Sequence, residues 1–468
     1  MDETTATLAA ERPASERAPV AVDDLLRHGH ALLAAGRLDE LERLLDQILA
    51  AAPDAPAALH LRGLLMYRTG RYHAAAQAIE RARRIAPGTI AFTRDLCPIY
   101  ERLGRYEDAM SSGHAALAID RRDLQTLHNL ALVHFRLLEL DDAIAWARRT
   151  LAIDPTAAGA HLQLAEALLL RGEFAEGLEE YEWRYRIEGV SPPIPSTDRP
   201  PWDGSPLTTT LLLIADQGFG DSIQFSRYIP WVRERCADLV VAAARTLHPL
   251  LAQIAPGVRL VDDWSACPPF TAYCPLSGLP RLHGTRIDRI PALTPCLHAD
   301  PRRSPAWRQR LGELAPRGYR RIGIVWAGRP THRNDLNRSI SLRTLAPLAE
   351  LAGTALVALQ QGPGRADIAG YFGRAPLINL GAEVTGFADT MGIIDALDLV
   401  IAVDTAVAHL AASMGKPVWV LLPYAPDWRW LLRRADSPWY PSMRLFRQTK
   451  PGEWTGVVDA IRNALGDG

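Results

Sequence analysis

From Val22 onward, apolar residues recur at the spacing of amphipathic helices, and that pattern repeats every 34 residues. The repeat is plainest in Gly36-Arg37, Gly70-Arg71, Gly104-Arg105 and Gly172-Glu173; the fourth register, Leu138-Glu139, lacks the glycine. A large apolar residue follows two places on (Leu38, Tyr72, Tyr106, Leu140, Phe174), and Ala75, Ala109 and Ala143 come three places after that. Pro53, Pro87 and Pro155 share another register, where Arg121 takes the remaining place. Glycine lets the chain turn between helices, a small residue lets two helices approach, and proline ends the second helix. The pattern predicts about five helix pairs over residues 22–186, stacked as a solenoid with a concave groove.

The pattern then changes. Residues 187–207, which include SPPIPSTDRPPWDGSP, are too rich in proline to continue a helix and read as a semi-rigid linker, with Trp202 as a candidate to pin it. Beyond the linker, short apolar runs alternate with helical stretches, which predicts parallel sheets. The runs include TTTLLLIA, Leu239-Val240-Val241, Val258 to Val261, Arg320 to Gly328, Ala355 to Leu359, LDLVIAV and PVWVLLP. They fall into two halves, 208–302 and 303–468, with 267–280 read as loop and a closing amphipathic helix, GEWTGVVDAIRNAL. Residues 1–21 lack a basic and an apolar leader region and read as a disordered lead.

Composition narrows the function. The 468 residues are 48% apolar, enough for about three cores. The formal net charge of -1, from 52 basic and 53 acidic residues, gives no global field favouring nucleic acid or an anionic membrane. No apolar run approaches the roughly 20 residues needed to span a bilayer, so no transmembrane segment is expected. Five cysteines without a Cys-x-x-Cys pair fit reduced thiols in a cytoplasm.

Four strand ends, two of them strand-turn-helix junctions, and one polar row carry candidate chemistry. LDLVIAV runs into Asp404-Thr405-Ala406-Val407-Ala408-His409, where a helix start presents unpartnered N–H groups that attract phosphate. Thr405 is placed to cap that helix, and His409 lies one turn further in, facing the same crevice. An ordinary α/β connection with a capping Asp-Thr pair would read the same way. Earlier, TTTLLLIADQ runs into Gly218-Phe219-Gly220-Asp221 and a helix carrying Gln224; without a third glycine this is not a dinucleotide fingerprint. A strand ending in Trp326-Ala327-Gly328 leads to a polar loop holding Asn337 and Arg338, and Gln360 follows another strand, placed to reach a base or ribose. In the repeats, Asp95, Asn129 and Gln163 share a register on the first helix of each pair, a ladder able to hydrogen-bond a peptide backbone or simply to be solvated.

The 34-residue pattern is that of the tetratricopeptide repeat, and the ladder resembles in part the asparagine ladder of eukaryotic O-GlcNAc transferase. Asp404 to His409, then Leu-Ala-Ala, Gly415-Lys416-Pro417 and an apolar strand, resemble the nucleotide-diphosphate loop of bacterial ADP-heptose heptosyltransferases, glycosyltransferase family 9. That family has Asp-Thr-Gly-x-x-His, and Ala406 stands at the glycine. Gly220-Asp221 resembles the family's first strand end, whose Asp is its proposed general base. The resemblance implies an α plus α/β chain: a tetratricopeptide solenoid followed by a GT-B transferase of two Rossmann-like lobes. It implies Asp221 as base and a nucleotide-sugar held near Gly218, Gly220, Gln224, Trp326, Asn337, Arg338, Gln360 and Asp404, Thr405, Ala406, Val407 and His409. No metal and no cofactor beyond the nucleotide-sugar is expected. Fused repeats imply a protein or peptide acceptor, flagellin-like in some relatives of this layout, and such arrays often dimerise. The alternative is a scaffold whose lobes bind without turning over.

Overall fold

The computed structural model describes residues 22–187, 197–292 and 296–466. The expected lead and the linker's residues 188–196 lie outside them. The chain folds as two compact units that divide after Asn129.

In chain order the N-terminal region is a series of helices, α1 (Val22–Ala34), α2 (Leu38–Ala51), α3 (Pro56–Arg68), α4 (Tyr72–Ile85), α5 (Ile90–Arg102), α6 (Tyr106–Ile119) and α7 (Leu124–Arg136). It continues through α8 (Leu140–Ile153), α9 (Ala158–Arg171) and α10 (Phe174–Tyr181), and a short 3-10 turn follows at Glu182–Arg186. The register glycines do what their lack of a Cβ allows: Gly36, Gly70 and Gly104 turn the chain with φ of 70°, 77° and 70°. Ala75 and Ala109 are fully buried where helices meet. At the fourth register Leu138 adopts the same left-handed turn with φ 60°, a conformation that costs a side-chain-bearing residue about 1–2 kcal/mol. Its side chain packs on the core of the second unit.

The second unit combines the last helices of the array with two parallel sheets. The first sheet holds β1 (Leu207–Ile214), β2 (Cys236–Ala242), β3 (Arg259–Val261) and β4 (Ala272–Pro275) in the order β3-β2-β1-β4. β4 lies inside the stretch read from sequence as loop; four residues bounded by prolines give too little pattern to mark a strand. The second sheet holds β5 (Arg320–Val325), β6 (Thr354–Ala358), β7 (Leu377–Asn379), β8 (Leu399–Val403), β9 (Val418–Leu422) and β10 (Met443–Arg447), ordered β10-β9-β8-β5-β6-β7. In the central strands Ile324 sits opposite Ala358 on one side and Ile401 on the other. Each sheet steps outward from its first strand and then returns to the other side, so strand order reverses between β1 and β4 and again between β5 and β8. Open parallel sheets bind ligands at the carboxyl ends of strands at such reversals.

One apolar core joins these parts. Phe174 of α10 stacks on Trp439 at 6.2 Å and meets Trp428 edge-on at 5.8 Å. Trp202 is buried as the linker reading expects, its backbone N–H on the Tyr273 carbonyl and its indole N–H on the Ser205 carbonyl. All five cysteines are free thiols, and burial pushes the Cys97 thiol up to about 12.

Leu138→Ile keeps the side chain's volume but puts a branched Cβ into a left-handed turn. It is expected to destabilise the protein by about 1–2 kcal/mol in urea denaturation; an unchanged midpoint would show that the turn relaxes freely.

Candidate functional site

The two strand-order reversals face each other. From β1 the chain passes through Gly218 into the helix Phe219–Phe225, and from β8 through Asp404-Thr405 into the helix Ala406–Ser413. These two helix starts touch: a Cβ built on Gly220 would lie 3.0 Å from His409 Cδ2 and 3.4 Å from Ala406 Cα. A side chain at 220 would therefore need His409 to give by a few tenths of an ångström, so the glycine eases this approach rather than serving its own backbone angles.

Asp221 closes the start of its helix. Its Oδ2 accepts the Gly218 N–H at 3.0 Å, and its Oδ1 accepts from Arg429 Nη2 at 2.5 Å. Arg429 also donates through Nη1 to Asp427 Oδ1 at 2.8 Å. Burial raises the Asp221 carboxyl above its ordinary value against the pull of Arg429. For Asp427 burial acts in the same direction, but Arg429 more than offsets it and holds the carboxyl low. Asp404 is raised, first by burial and then by the charge of Asp427, with Arg338 opposing.

On the second helix Thr405 does not cap as the sequence suggests. Its hydroxyl donates back to the Val403 carbonyl at 3.2 Å and makes no cap hydrogen bond, so the first-turn N–H groups of Ala406 and Val407 have no side-chain partner among the described residues. Residues 404–407 are half-buried. His409, expected to face the crevice, is instead packed away: Nδ1 is 3.1 Å from the Tyr440 hydroxyl, and the ring lies 5.4 Å from Trp430. Burial, reinforced by Arg429, pushes its imidazole down to about 3, so it is neutral at pH 7.

The polar loop after β5 brings Arg338 close to the same crevice. A Cβ on Gly328 would come within 2.6 Å of Arg338 Nη2, so this glycine gives the guanidinium its place. Arg338 Nε donates to Asp335 at 3.4 Å, a long bond that leaves the fork available. Asn337 is turned toward its own loop, its Nδ2 donating to Asn334 Oδ1 at 2.7 Å; the same oxygen accepts from Arg136 Nη1 at 2.9 Å. Arg333 pairs with Glu166 of α9. The loop is thereby fastened to the last repeats.

Two candidates prove structural, and a third is buried without a partner. Gln360 accepts from the Trp326 and Ala327 N–H groups at 3.0 and 2.9 Å and donates to the Ala327 and Gln361 carbonyls at 2.9 and 2.8 Å. Its amide has nothing left for a base or ribose. Trp326 is fully buried in the sheet's core, with its indole N–H on the Gly364 carbonyl. Gln224 is also fully buried, and neither of its amide atoms has a hydrogen-bond partner among the described residues. A polar residue after a strand satisfies the backbone as often as it meets a ligand.

Of the ladder residues, Asp95 is already committed. Asp95 Oδ2 lies 2.8 Å from His60 Nε2, and its Oδ1 accepts from Arg94 Nε at 2.9 Å. Burial alone would raise this carboxyl, but His60 and Arg94 together hold it low. Asn129 is buried, its Oδ1 accepting from Gln125 at 3.1 Å while its Nδ2 has no partner among the described residues. Gln163 lies half-buried on α9, in the second unit. Among the described residues, His134, Glu139 and Asp142 form a group of metal-ligating type, with ligand atoms within 4.8 Å of one another. Within it His134 Nδ1 and Glu139 Oε2 are hydrogen-bonded at 2.7 Å.

The stretches Asp427-Trp428-Arg429-Trp430 and Trp439-Tyr440 read from sequence as able to line a sugar or peptide site, or equally to pack the closing helix against the sheet; the structure sets Asp427 and Arg429 beside Asp221 and packs Trp430 and Tyr440 on His409, while Arg227 is a further tie that the sequence does not mark. Buried Arg227 donates to the Trp439 carbonyl at 3.0 Å. The signal for the two stretches is the density of charge and aromatic residues in PDWRWLLRRADSPWY.

Two outcomes follow from this geometry. A His whose folded pKa is depressed weakens the fold as pH falls through its unfolded value, because the unfolded chain takes up the proton first. Melting temperature should therefore fall between pH 7 and 5.5, and His409→Gln should flatten that dependence; an equal slope in both proteins contradicts the assignment. Gln360→Leu leaves the Trp326 and Ala327 N–H groups unpaired and should cost about 2–5 kcal/mol in chemical denaturation without altering nucleotide affinity relative to folded protein.

Comparison with known proteins places these features. Residues 26–89 match the tetratricopeptide repeat model, and residues 375–433 match the model of glycosyltransferase family 9 (heptosyltransferase). The chain is 27% identical over 342 residues to Protein FlbA of Caulobacter vibrioides, covering 66% of this chain and 55% of that protein. It thus spans little more than half the length of that relative. Among solved structures it is similar to a thermophilic TPR protein of Thermus thermophilus, at 25% identity and TM-score 0.33 over 36% of this chain and 92% of that one. It is also similar to PilW, a type IV pilus biogenesis factor, at 17% identity and TM-score 0.34 over 36% of this chain and 80% of that one. The chain therefore carries tetratricopeptide repeats toward its N-terminus, and the segment of its second sheet that contains Asp404 to His409 and Arg429 matches the family 9 model.

Proposed function

We propose that this chain is a glycosyltransferase that moves a sugar from a nucleotide-sugar to an acceptor hydroxyl, with the repeats recruiting a protein acceptor. The observation that carries the reading is the coincidence of the family 9 match at 375–433 with a helix start at a strand-order reversal, faced by Asp221. The donor's diphosphate lies on the N–H groups of Ala406 and Val407, where the helix dipole favours negative charge, with Arg338 as a further cation. Asp221 takes the proton of the acceptor hydroxyl as its oxygen bonds to the sugar's anomeric carbon. The bond from that carbon to the phosphate oxygen breaks, and the nucleoside diphosphate leaves. Helix dipole and arginine carry the phosphate charge in this scheme, so it needs no divalent metal. The reading also includes a cytoplasmic location, supported by the five free thiols, and no helix among the described residues is long and apolar enough to cross a membrane. A flagellin-like acceptor and a homodimer belong to the proposal as expectations of the layout.

A second reading has one observation in its favour. Both oxygens of Asp221 are already engaged, by Gly218 and Arg429, as they would be in a scaffold that binds without turning over.

Thermal unfolding with UDP, GDP, ADP, CDP and CMP tests the first reading. One nucleotide should stabilise the wild type, by about 2.7 kcal/mol at one hundred times its dissociation constant. Ala406→Asp, which puts a carboxylate where the phosphate sits, should lose the effect while keeping its helix. Asp221→Asn should retain nucleotide binding and lose transfer by about 10²–10⁴-fold. A wild type that no nucleotide stabilises moves the weight to the scaffold.

A further inference from the structure

Arg429 is a buried cation whose partners face outward. It is 5% exposed, whereas the Asp221 and Asp427 side chains it joins are 28% and 36% exposed. Its guanidinium is held from behind by the faces of Trp428, at 4.6 Å, and Phe225, at 5.1 Å. Its Nε has no hydrogen-bond partner among the described residues. Asp427 fixes the local chain as well, accepting the Arg429 backbone N–H at 3.0 Å. Directly after it, Leu431 and Arg433 take left-handed backbone angles, φ 50° and 54°, strain that the surrounding packing has to enforce. This much constraint on one guanidinium exceeds what an ion pair at a surface requires.

The position of this cation relates it to the phosphate end of the crevice. Its charge is felt by Asp404 and by His409, the residues on either side of the helix start at Thr405. The helix that bears Asp221 touches that same start through Gly220. A planar fork bridging two carboxylates has the geometry that also fits two oxygens of a diphosphate. A nucleoside diphosphate carries more negative charge than one carboxylate and presents several acceptor oxygens. It therefore competes well for the same donors.

We propose that Arg429 has two alternative partners, the carboxylate of Asp221 and the diphosphate of the donor, so that donor binding takes the guanidinium from Asp221 and frees the base. The inference rests on the transferase reading above and deepens it. While paired, Asp221 has one oxygen on Gly218 and the other on Arg429, and neither is presented to an acceptor hydroxyl. Once Arg429 turns to phosphate, that second oxygen is open and its carboxylate loses the neighbour that stabilised its charge, which makes it a stronger base. Asp427 keeps its bond to Nη1 and acts as the pivot. Proton abstraction then awaits the donor, and binding is ordered with donor first.

The test uses the full chain and isothermal titration of UDP, GDP, ADP and CDP, each beside its own nucleoside. For the diphosphate that binds wild type, Asp221→Asn should tighten affinity about three- to tenfold while abolishing transfer, because it removes the competing charge. Arg429→Gln should weaken the diphosphate at least tenfold and leave the nucleoside unchanged, and Arg429→Lys should fall between them. Melting curves confirm that each variant is folded, and Asp221→Asn stands as the decisive variant should Arg429→Gln fail to fold. Unchanged or weaker diphosphate binding in Asp221→Asn overturns the inference and leaves the transferase reading intact. Absence of binding by every diphosphate to wild type overturns both.

Discussion

A buried guanidinium is costly to desolvate by several kcal/mol unless carboxylates meet it at close range. Arg429 has two of them, and one comes from a residue 208 positions earlier in the chain. The rest of the second unit forms the apparatus that makes this meeting possible. Two parallel sheets each deliver a helix start to the point where strand order reverses, and the glycine at 220 lets those starts come within van der Waals contact. Arg227, buried on the same side, adds a second tie through the Trp439 carbonyl.

The final repeats belong to this apparatus. Phe174 packs between Trp428 and Trp439, the aromatic residues that flank the Arg429 segment. Arg184 and Tyr185 reach the end of β4 through Ser277, where Asp216, at the end of β1, is also hydrogen-bonded. Asn334 and Arg333 tie the loop that carries Arg338 to α7 and α9. The array therefore does more than end beside the sheets: its last helices share their core and set the loops at the mouth of the crevice.

Much of this architecture is legible in the sequence, for identifiable reasons. The 34-residue period survives the loss of one glycine because Leu138 can take the same left-handed turn when its side chain gains a core contact. β1, β5, β6, β8 and β9 are continuous apolar runs, the mark of strands buried on both faces. β4, β7 and β10 are short or carry charges, and no periodicity marks them. Gly220, Asp221 and Asp404 to Val407 stand out in the sequence because their residue types sit at strand ends, and the structure brings the two helix starts together. Gln360 and Trp326 are misread for the same reason, since a polar or aromatic residue at a strand end can serve the backbone and the core. The sequence marks Asp427 to Trp430 as a candidate stretch but not the pairing of Arg429 with Asp221, because that partner is fixed by the packing of two lobes, which no local pattern encodes.

If Asp221 and a donor diphosphate meet on either side of one arginine, a crystal structure of the wild-type chain with its stabilising nucleoside diphosphate will show it. Phosphate oxygens are then expected on the Ala406 and Val407 N–H groups and on Arg429, with Asp221 Oδ1 released to the crevice. A nucleotide bound elsewhere, or bound here with the Arg429 to Asp221 contact still at 2.5 Å, would contradict that arrangement.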